Sequence, residues 1–377
     1  WGPLWWHVAG YLWHLAVLPA ALAGLLGAWI WRGAIRRRRA RPHDAAPATS
    51  RQFETGGTTG GAGTDTVTSG TTLRPSRRGL LRTTAIAIPP LVGAVLTVRA
   101  EWALRTFRVR RLEVFVPTLP VDLDGLRIAH VSDLHVGQFL PSGMAGRVVD
   151  ATNALGADLV AFTGDLMDIS ADRIAPGLDF VRRIDPRQGL ALVQGNHDGM
   201  TDADKFEQPV REAGLPLLQD QGLTCRVSGR QTAVQFLGMR WGDLRFGREL
   251  DRTGRDAGRR FRVRSDAATR DSVARITALR TVDAFPIVLT HHPHDFDLAA
   301  DAGFPLVLAG HTHGGQLMLT ERVGVGPLRF RYWSGTYGRG ASRLVVSNGV
   351  GNWFPLRLNA PPEIGLITLR RGVSQPS

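Results

Sequence analysis

Five short strings in this 377-residue chain hold side chains that can do chemistry. They are Asp133 and His135 in Ser132-Asp133-Leu134-His135, Gly164-Asp165, Gly195-Asn196-His197-Asp198, the pair His291-His292 before Pro293, and Gly310-His311-Thr312-His313-Gly314-Gly315-Gln316. Carboxylate oxygen, imidazole nitrogen and amide oxygen together suit Mn, Fe or Zn, whereas an all-oxygen set would suit Mg or Ca. Two such ions about 3.5–4 Å apart activate a water and clamp a phosphate for in-line displacement. Asp-x-His and His-x-His put alternate side chains on one side of an extended backbone, so both can face one ion. The glycines at 164, 195, 310, 314 and 315 allow sharp turns and close approach. Each string alone has a plain reading: a helix cap beside a surface histidine, a turn, or a helix start. The histidines argue for more. Three of the 11 precede residue 100, and seven of the other eight lie in the strings or within three residues of His291. The eighth, His130, lies three residues before Asp133.

These strings need elements to position them. Short aliphatic runs predict strands at Leu126–Val131, Asp158–Phe162, Leu190–Val193, Ala233–Gly238, Pro286–Leu289, Pro305–Leu308, Arg343–Val346 and Gly365–Leu369. Helices are expected near 143–155, 172–184, 203–213, 271–280 and 294–301. Alternation of this kind means an α/β domain. Each of the five strings directly follows a predicted strand. Ligands in α/β sheets sit in loops beyond the carboxyl ends of strands, so five converging loops would build one site. Arg245 to Arg264, rich in Arg, Gly and Asp, reads as an exposed loop.

The formal net charge is +13, from 46 basic and 33 acidic residues. Its distribution decides what it means. Up to Arg111 there are 16 Arg against 4 acids, a net of +12; the rest of the chain carries +1. A nearly neutral domain is a poor nucleic-acid binder, which needs many phosphate contacts, and no stable nucleic-acid partner is expected. A hydrophobic content of 43% permits a real core. The single cysteine, Cys225, excludes an intrachain disulfide framework and any cysteine-based zinc site.

The basic excess lies beside two apolar segments. Residues 1–31 contain no charged side chain and six of the ten tryptophans, grouped towards both ends. This is the pattern of a transmembrane helix with interfacial aromatic belts. Residues 32–82 form a basic and Gly/Thr-rich linker, with Arg32, Arg36 to Arg39 and Arg41 at its start. The positive-inside rule places it in the cytoplasm. Ser76-Arg77-Arg78-Gly79-Leu80-Leu81-Arg82 resembles a twin-arginine export signal, and residues 83–98 are then either a signal core or a second, short anchor. Both readings put the remainder of the chain outside the cytoplasm, attached to the cell membrane.

The ordered set D-x-H, G-D, G-N-H-D, H-x-P and G-H-x-H resembles the calcineurin-like metallophosphoesterases, over about residues 112–371. The string Ala309 to Gln316, with Ser347-Asn348-Gly349-Val350-Gly351, Pro355-Leu356-Arg357 and Pro362-Glu363-Ile364, is similar to the bacterial membrane-anchored or exported branch. The resemblance implies a four-layer sandwich of two mixed sheets flanked by helices. It implies two divalent ions (Mn, Fe or Zn) and a phosphoester substrate. Asp133, His135 and His313 would hold one ion and Asn196, His291 and His311 the other, with Asp165 bridging both. His197 would meet the phosphate and protonate the leaving oxygen, after in-line attack by a metal-bridging hydroxide with no covalent enzyme intermediate. Pro293 selects His291 over its neighbour, leaving His292 as a solvent-facing side chain. Asp168 and Asp198 would orient the site from behind it. The substrate is a phosphomonoester or phosphodiester, with an envelope lipid or a nucleotide among the candidates, and the membrane tether favours a lipid or envelope substrate by location. The alternative is a non-catalytic metal-binding or scaffolding domain on the same fold.

Overall fold

The computed structural model describes residues 77–168, 174–200, 203–241, 266–320 and 322–373. The expected span at 1–31, most of the 32–82 linker and the 245–264 loop lie outside the described residues. In chain order the elements are α1 (Arg77–Leu104), β1 (Arg108–Val116), β2 (Arg127–Val131), α2 (Met144–Ala154), β3 (Leu159–Thr163), α3 (Ile174–Arg182), β4 (Leu190–Val193), α4 (Asp204–Glu212), β5 (Gln221–Cys225), β6 (Ala233–Gly238), α5 (Asp266–Ala278), β7 (Ala284–Leu289), α6 (Phe296–Asp301), β8 (Leu306–Ala309), α7 (Val325–Arg329), β9 (Gly335–Arg339), β10 (Ser342–Val346) and β11 (Glu363–Arg371).

The strands form two mixed sheets. The first has the order β1-β11-β2-β3-β4, and the second β5-β6-β7-β8-β10-β9. β2, β3 and β4 run parallel, as do β6, β7, β8 and β10, while β11 opposes β2 and the outer β5 and β9 oppose their neighbours. Interior strands of such sheets are covered on both faces, so their sequences are continuous apolar runs. β3 (LVAFT) and β8 (LVLA) are buried at every position.

Three cores separate four layers. Between the sheets, Ile128, Leu159 and Val193 of the first meet Phe236, Ile287 and Leu308 of the second. On the outer face of the first sheet, Val148 of α2, Phe180 of α3 and Val210 of α4 cover Ala129, Phe162 and Leu192. On the outer face of the second, Val273 and Ile276 of α5 and Phe296 and Ala299 of α6 cover Leu237, Val288 and Val307. The layers are thus helix, sheet, sheet, helix.

The eight strands expected from the sequence are all present, with ends shifted by a few residues. Three strands were not expected: β1, β5 and β9. Each lies at the edge of its sheet. An edge strand is wet on one side and carries polar residues that discourage further pairing, which hides the apolar run that marks a strand. β1 reads RVRRLEVFV and β5 has only its last residue buried. The globular part therefore begins ahead of residue 112, because β1 pairs with β11 from Arg108 onward.

The chain divides into two compact units, one of which holds Val98 onward and the other the described residues before it. α1 is a 28-residue helix that extends past both ends of the expected 83–98 segment. Among the described residues no helix is long and apolar enough to cross a membrane.

Candidate metal centre

The five chemical strings follow β2, β3, β4, β7 and β8, and their loops meet. The first two loops are bonded directly: the amides of Asp133, His135 and Val136 donate to the carbonyls of Gly164, Asp165 and Leu166 at 2.9, 3.0 and 2.9 Å. The sheets are joined here as well, because His291 Nδ1 donates to the Thr163 carbonyl at 2.7 Å. That bond fixes the tautomer and turns Nε2 towards the centre.

Two clusters of donor atoms result. In one, His135 Nε2 lies 3.0 Å from His313 Nε2, and His313 Nε2 lies 3.4 Å from Asp133 Oδ1. In the other, His291 Nε2 lies 3.0 Å from Asn196 Oδ1 and 3.2 Å from His311 Nδ1, and His311 Nδ1 lies 2.9 Å from Asn196 Oδ1. Asp165 Oδ2 sits between the clusters, 3.5 Å from His135 Nε2 and 3.2 Å from His291 Nε2. An ion with bonds of about 2.1 Å keeps neighbouring ligand atoms about 3.0–3.4 Å apart. Most of the observed separations lie close to that spacing, the widest being His135 Nε2 to Asp133 Oδ1 at 3.9 Å, so the donor set fits two divalent ions with Asp165 between them. The seven candidate ligands named from the sequence are brought together, in the two groups expected.

The backbone that does this is not the expected one. Asp-x-His and His-x-His were expected to act through an extended chain. Instead Asp133, His135, Asp165, His311 and His313 have φ of 54°, 49°, 55°, 73° and 50°. Left-handed conformations cost non-glycine residues of order 1 kcal/mol each and gather at functional sites, where surrounding structure holds them. Here the inter-loop amide bonds do so. Two glycines let the loops touch. A Cβ on Gly195 would sit 2.1 Å from Asp165 Oδ1, and one on Gly310 would sit 2.0 Å from Ser132 Oγ.

Electrostatics explain what each group can bind. Burial and nearby positive groups hold His135, His311 and His313 well below the ordinary imidazole pKa, so they are neutral with lone pairs free to ligate. Burial pushes Asp133 up to about 6, against the pull of His291. His291 behaves differently: burial opposes its charge, but the Asp165 carboxylate raises it to about 9. A proton there does the neutralising that a cation would do. His130 is buried, held neutral at about 3 by desolvation, and bonded to Thr163 Oγ1 at 2.9 Å. It is a core residue and lies beside the centre without facing it.

His197 stands at the edge of the centre, half-buried. Its amide donates to Asp165 Oδ1 at 2.8 Å and its Nδ1 lies 3.1 Å from Asp168 Oδ1. Burial disfavours its charge, yet the Asp165 and Asp168 carboxylates outweigh that and raise its pKa. Asp198 is buried and accepts the amides of Asp165, Met167 and Gly195 at 2.9, 2.8 and 2.9 Å. Burial and the Asp165 charge push it up to about 7. Asp168 thus aims His197, and Asp198 ties two of the loops together.

His292 departs from its expected place in solvent. It is half-buried, its ring 4.7 Å from that of His311 and 5.8 Å from that of Trp241. The cause is local: its side chain accepts the His294 amide and caps the turn begun by Pro293.

No role for Arg357 follows from the sequence, although it lies in Pro355-Leu356-Arg357. Arg357 is buried, and its guanidinium meets His313 Nδ1 at 2.6 Å, Asn352 Oδ1 at 2.5 Å and the Asn348, Ala360 and Gly351 carbonyls at 2.7, 3.2 and 2.5 Å. It locks His313 to the loop between β10 and β11. A lone arginine far along the chain carries no pattern that reveals this.

Residues 126–315 match the family model of the calcineurin-like phosphoesterases. An uncharacterized metallophosphoesterase of Campylobacter jejuni is 27% identical over 271 residues, 71% of this chain and 64% of its own length. A Danio rerio protein described as a transmembrane protein with metallophosphoesterase domain is 27% identical over 299 residues, 78% of this chain and 64% of its own. The phosphodiesterase YaeI of Escherichia coli is 26% identical over 257 residues, 64% of this chain and 82% of its own. This chain therefore covers 64% of the first two of these relatives. The family match takes in half the chain and all seven candidate ligands, and on that ground the chain belongs to the calcineurin-like phosphoesterase family.

Proposed function

We propose that this protein is a membrane-anchored phosphoesterase that hydrolyses a phosphomonoester or phosphodiester with two divalent ions of the Mn, Fe or Zn type. The observation that carries this is the sharing of Asp165 between two clusters of donor atoms spaced as ligands of one ion are spaced. Asp133, His135 and His313 would hold one ion, and Asn196, His291 and His311 the other. When bound, such a pair supplies an activated water and neutralises phosphoryl charge. The chain's own residues do the rest. Asp168 orients His197 through Nδ1, which leaves Nε2 to face the substrate. The Asp165 and Asp168 carboxylates favour a proton on His197, which Nε2 would give to the departing alkoxide. Names among the relatives, a phosphodiesterase and a metallophosphoesterase, agree with this chemistry.

The apolar residues 1–31 and the arginines after them support a tether whose basic end is cytoplasmic, with the catalytic unit outside. A relative described as transmembrane is in keeping with it. Such a position favours a lipid or envelope substrate, with a nucleotide as the other candidate. A reporter fused after residue 377 is expected to be active only outside the cytoplasm, and activity confined to the inside would reverse the orientation.

Hydrolysis of a panel of phosphomonoesters and phosphodiesters with added Mn²⁺ tests the enzymatic reading. The wild type should turn over at least one class, and His197→Ala should lose about 10²- to 10⁴-fold in kcat. A folded, metal-loaded wild type inactive on the whole panel would favour the non-catalytic metal-binding alternative.

A further inference from the structure

Trp353 is 45% exposed and stands beside the centre. Its ring lies 6.0 Å from the His197 imidazole, tilted by 44°. The segment that carries it is fixed on both sides. Before it, the amides of Val350 and Gly351 donate to the carbonyls of Ser132 and Asp133 at 2.9 and 2.7 Å, and Arg357 holds Asn352 Oδ1 at 2.5 Å. After it, Gln316 Nε2 donates to the Phe354 and Leu356 carbonyls at 3.2 and 3.1 Å. The indole is therefore hung from the same loops that carry Asp133 and His313. Its position relative to His197 is set by the metal centre's own scaffold.

Geometry then assigns a role by location. His197 Nδ1 is occupied by Asp168, so a proton delivered to substrate leaves from Nε2. The group that receives it departs past His197, whose ring has the Trp353 indole as a neighbour at 6.0 Å. We propose that Trp353 is a specificity residue whose indole stacks on an aromatic ring carried by the leaving group. The inference rests on the phosphoesterase reading for what departs past His197. An aromatic face is preferred over an alkyl chain as the occupant because Trp353 is one rigid exposed ring and Phe354, its aromatic neighbour at 5.8 Å, is only half-buried. Flat rings stack offset or edge-on at such separations.

The test compares two ligands that cannot be hydrolysed, phenylphosphonate and methylphosphonate, binding to the Mn²⁺-loaded full chain by calorimetry. The wild type is expected to bind phenylphosphonate about three- to tenfold more tightly. Trp353→Ala should abolish that preference while leaving methylphosphonate unchanged, and Trp353→Phe should largely restore it. Equal weakening of both ligands in Trp353→Ala, an unchanged preference in that variant, or no binding of either ligand by the wild type would each overturn the proposal. An alkyl occupant would reveal itself as a preference for hexylphosphonate over phenylphosphonate, which also overturns it. If the preference behaves as expected but the wild type hydrolyses no phosphoester, the enzymatic reading fails and the stacking site stands.

Discussion

At the residue scale, the centre works by conflict between burial and charge. Asp165 is buried with His291, and each holds the other in its charged form. At pH 7 His291 carries a proton, since its pKa is about 9. A divalent ion must displace it. Metal binding at pH 7 is therefore expected to release about one proton from this site, and affinity should rise with pH until about 9. Calorimetry in buffers of different ionisation heat reads the proton count directly; no release would mean that His291 is not a ligand. Arg357 makes a second residue-scale prediction. Arg357→Ala strips the partners from several buried carbonyls and from His313 Nδ1, and it should destabilise the protein by at least about 2 kcal/mol in urea unfolding. Arg357→Lys cannot span the same fork and should recover only part of that. Residue types made the candidate ligands legible, because Asp, Asn and His stand out in a sequence. Arg357 and Trp353 were not legible, because what they do depends on a loop between β10 and β11 returning to Asp133.

At the element scale, the site depends on strands delivering their loops to a common edge. Interior strands were readable because burial on both faces writes an unbroken apolar run, as in β3 and β8. The edges β1, β5 and β9 were not, since half their side chains face water. The left-handed residues of the metal loops were hidden for another reason: nothing in Asp-x-His says whether its backbone is extended. Asp220, just before β5, shows how an edge is held. It accepts the amide of Arg240 at 3.0 Å after β6 and Arg275 Nε at 2.8 Å from α5, together with Ser272 Oγ. Burial opposes its charge, yet these donors hold its pKa below the usual carboxylate value. The folded pKa is depressed, so the stability Asp220 adds is present above about pH 4 and is lost as pH falls through the folded value. Asp220→Asn should lower the melting temperature at pH 7 and matter least in strong acid. An equal deficit at every pH would contradict this.

At the scale of the molecule, the compact unit that begins at Val98 closes through β1 and β11. Their pairing buries Glu363, which receives Arg108 at 2.8 Å and Arg110 at 3.3 Å. A chain starting at residue 112 leaves that carboxylate without its cations and should melt about 5–10 °C below one starting at residue 98. The sequence-based boundary at 112 missed this because basic β1 reads as a continuation of the arginine-rich region. Part of the basic excess before residue 112 thus belongs to an edge strand whose Arg108 and Arg110 partner a buried acid.

The central claim is that seven side chains from five loops form one centre for two ions. Metal content of the purified chain, measured after Mn²⁺ or Zn²⁺ loading and removal of loose ions, tests it most directly. Two ions per chain are expected in the wild type and at most one in Asp165→Ala. A wild type that holds one ion or none, or an Asp165→Ala variant that still holds two, would contradict it.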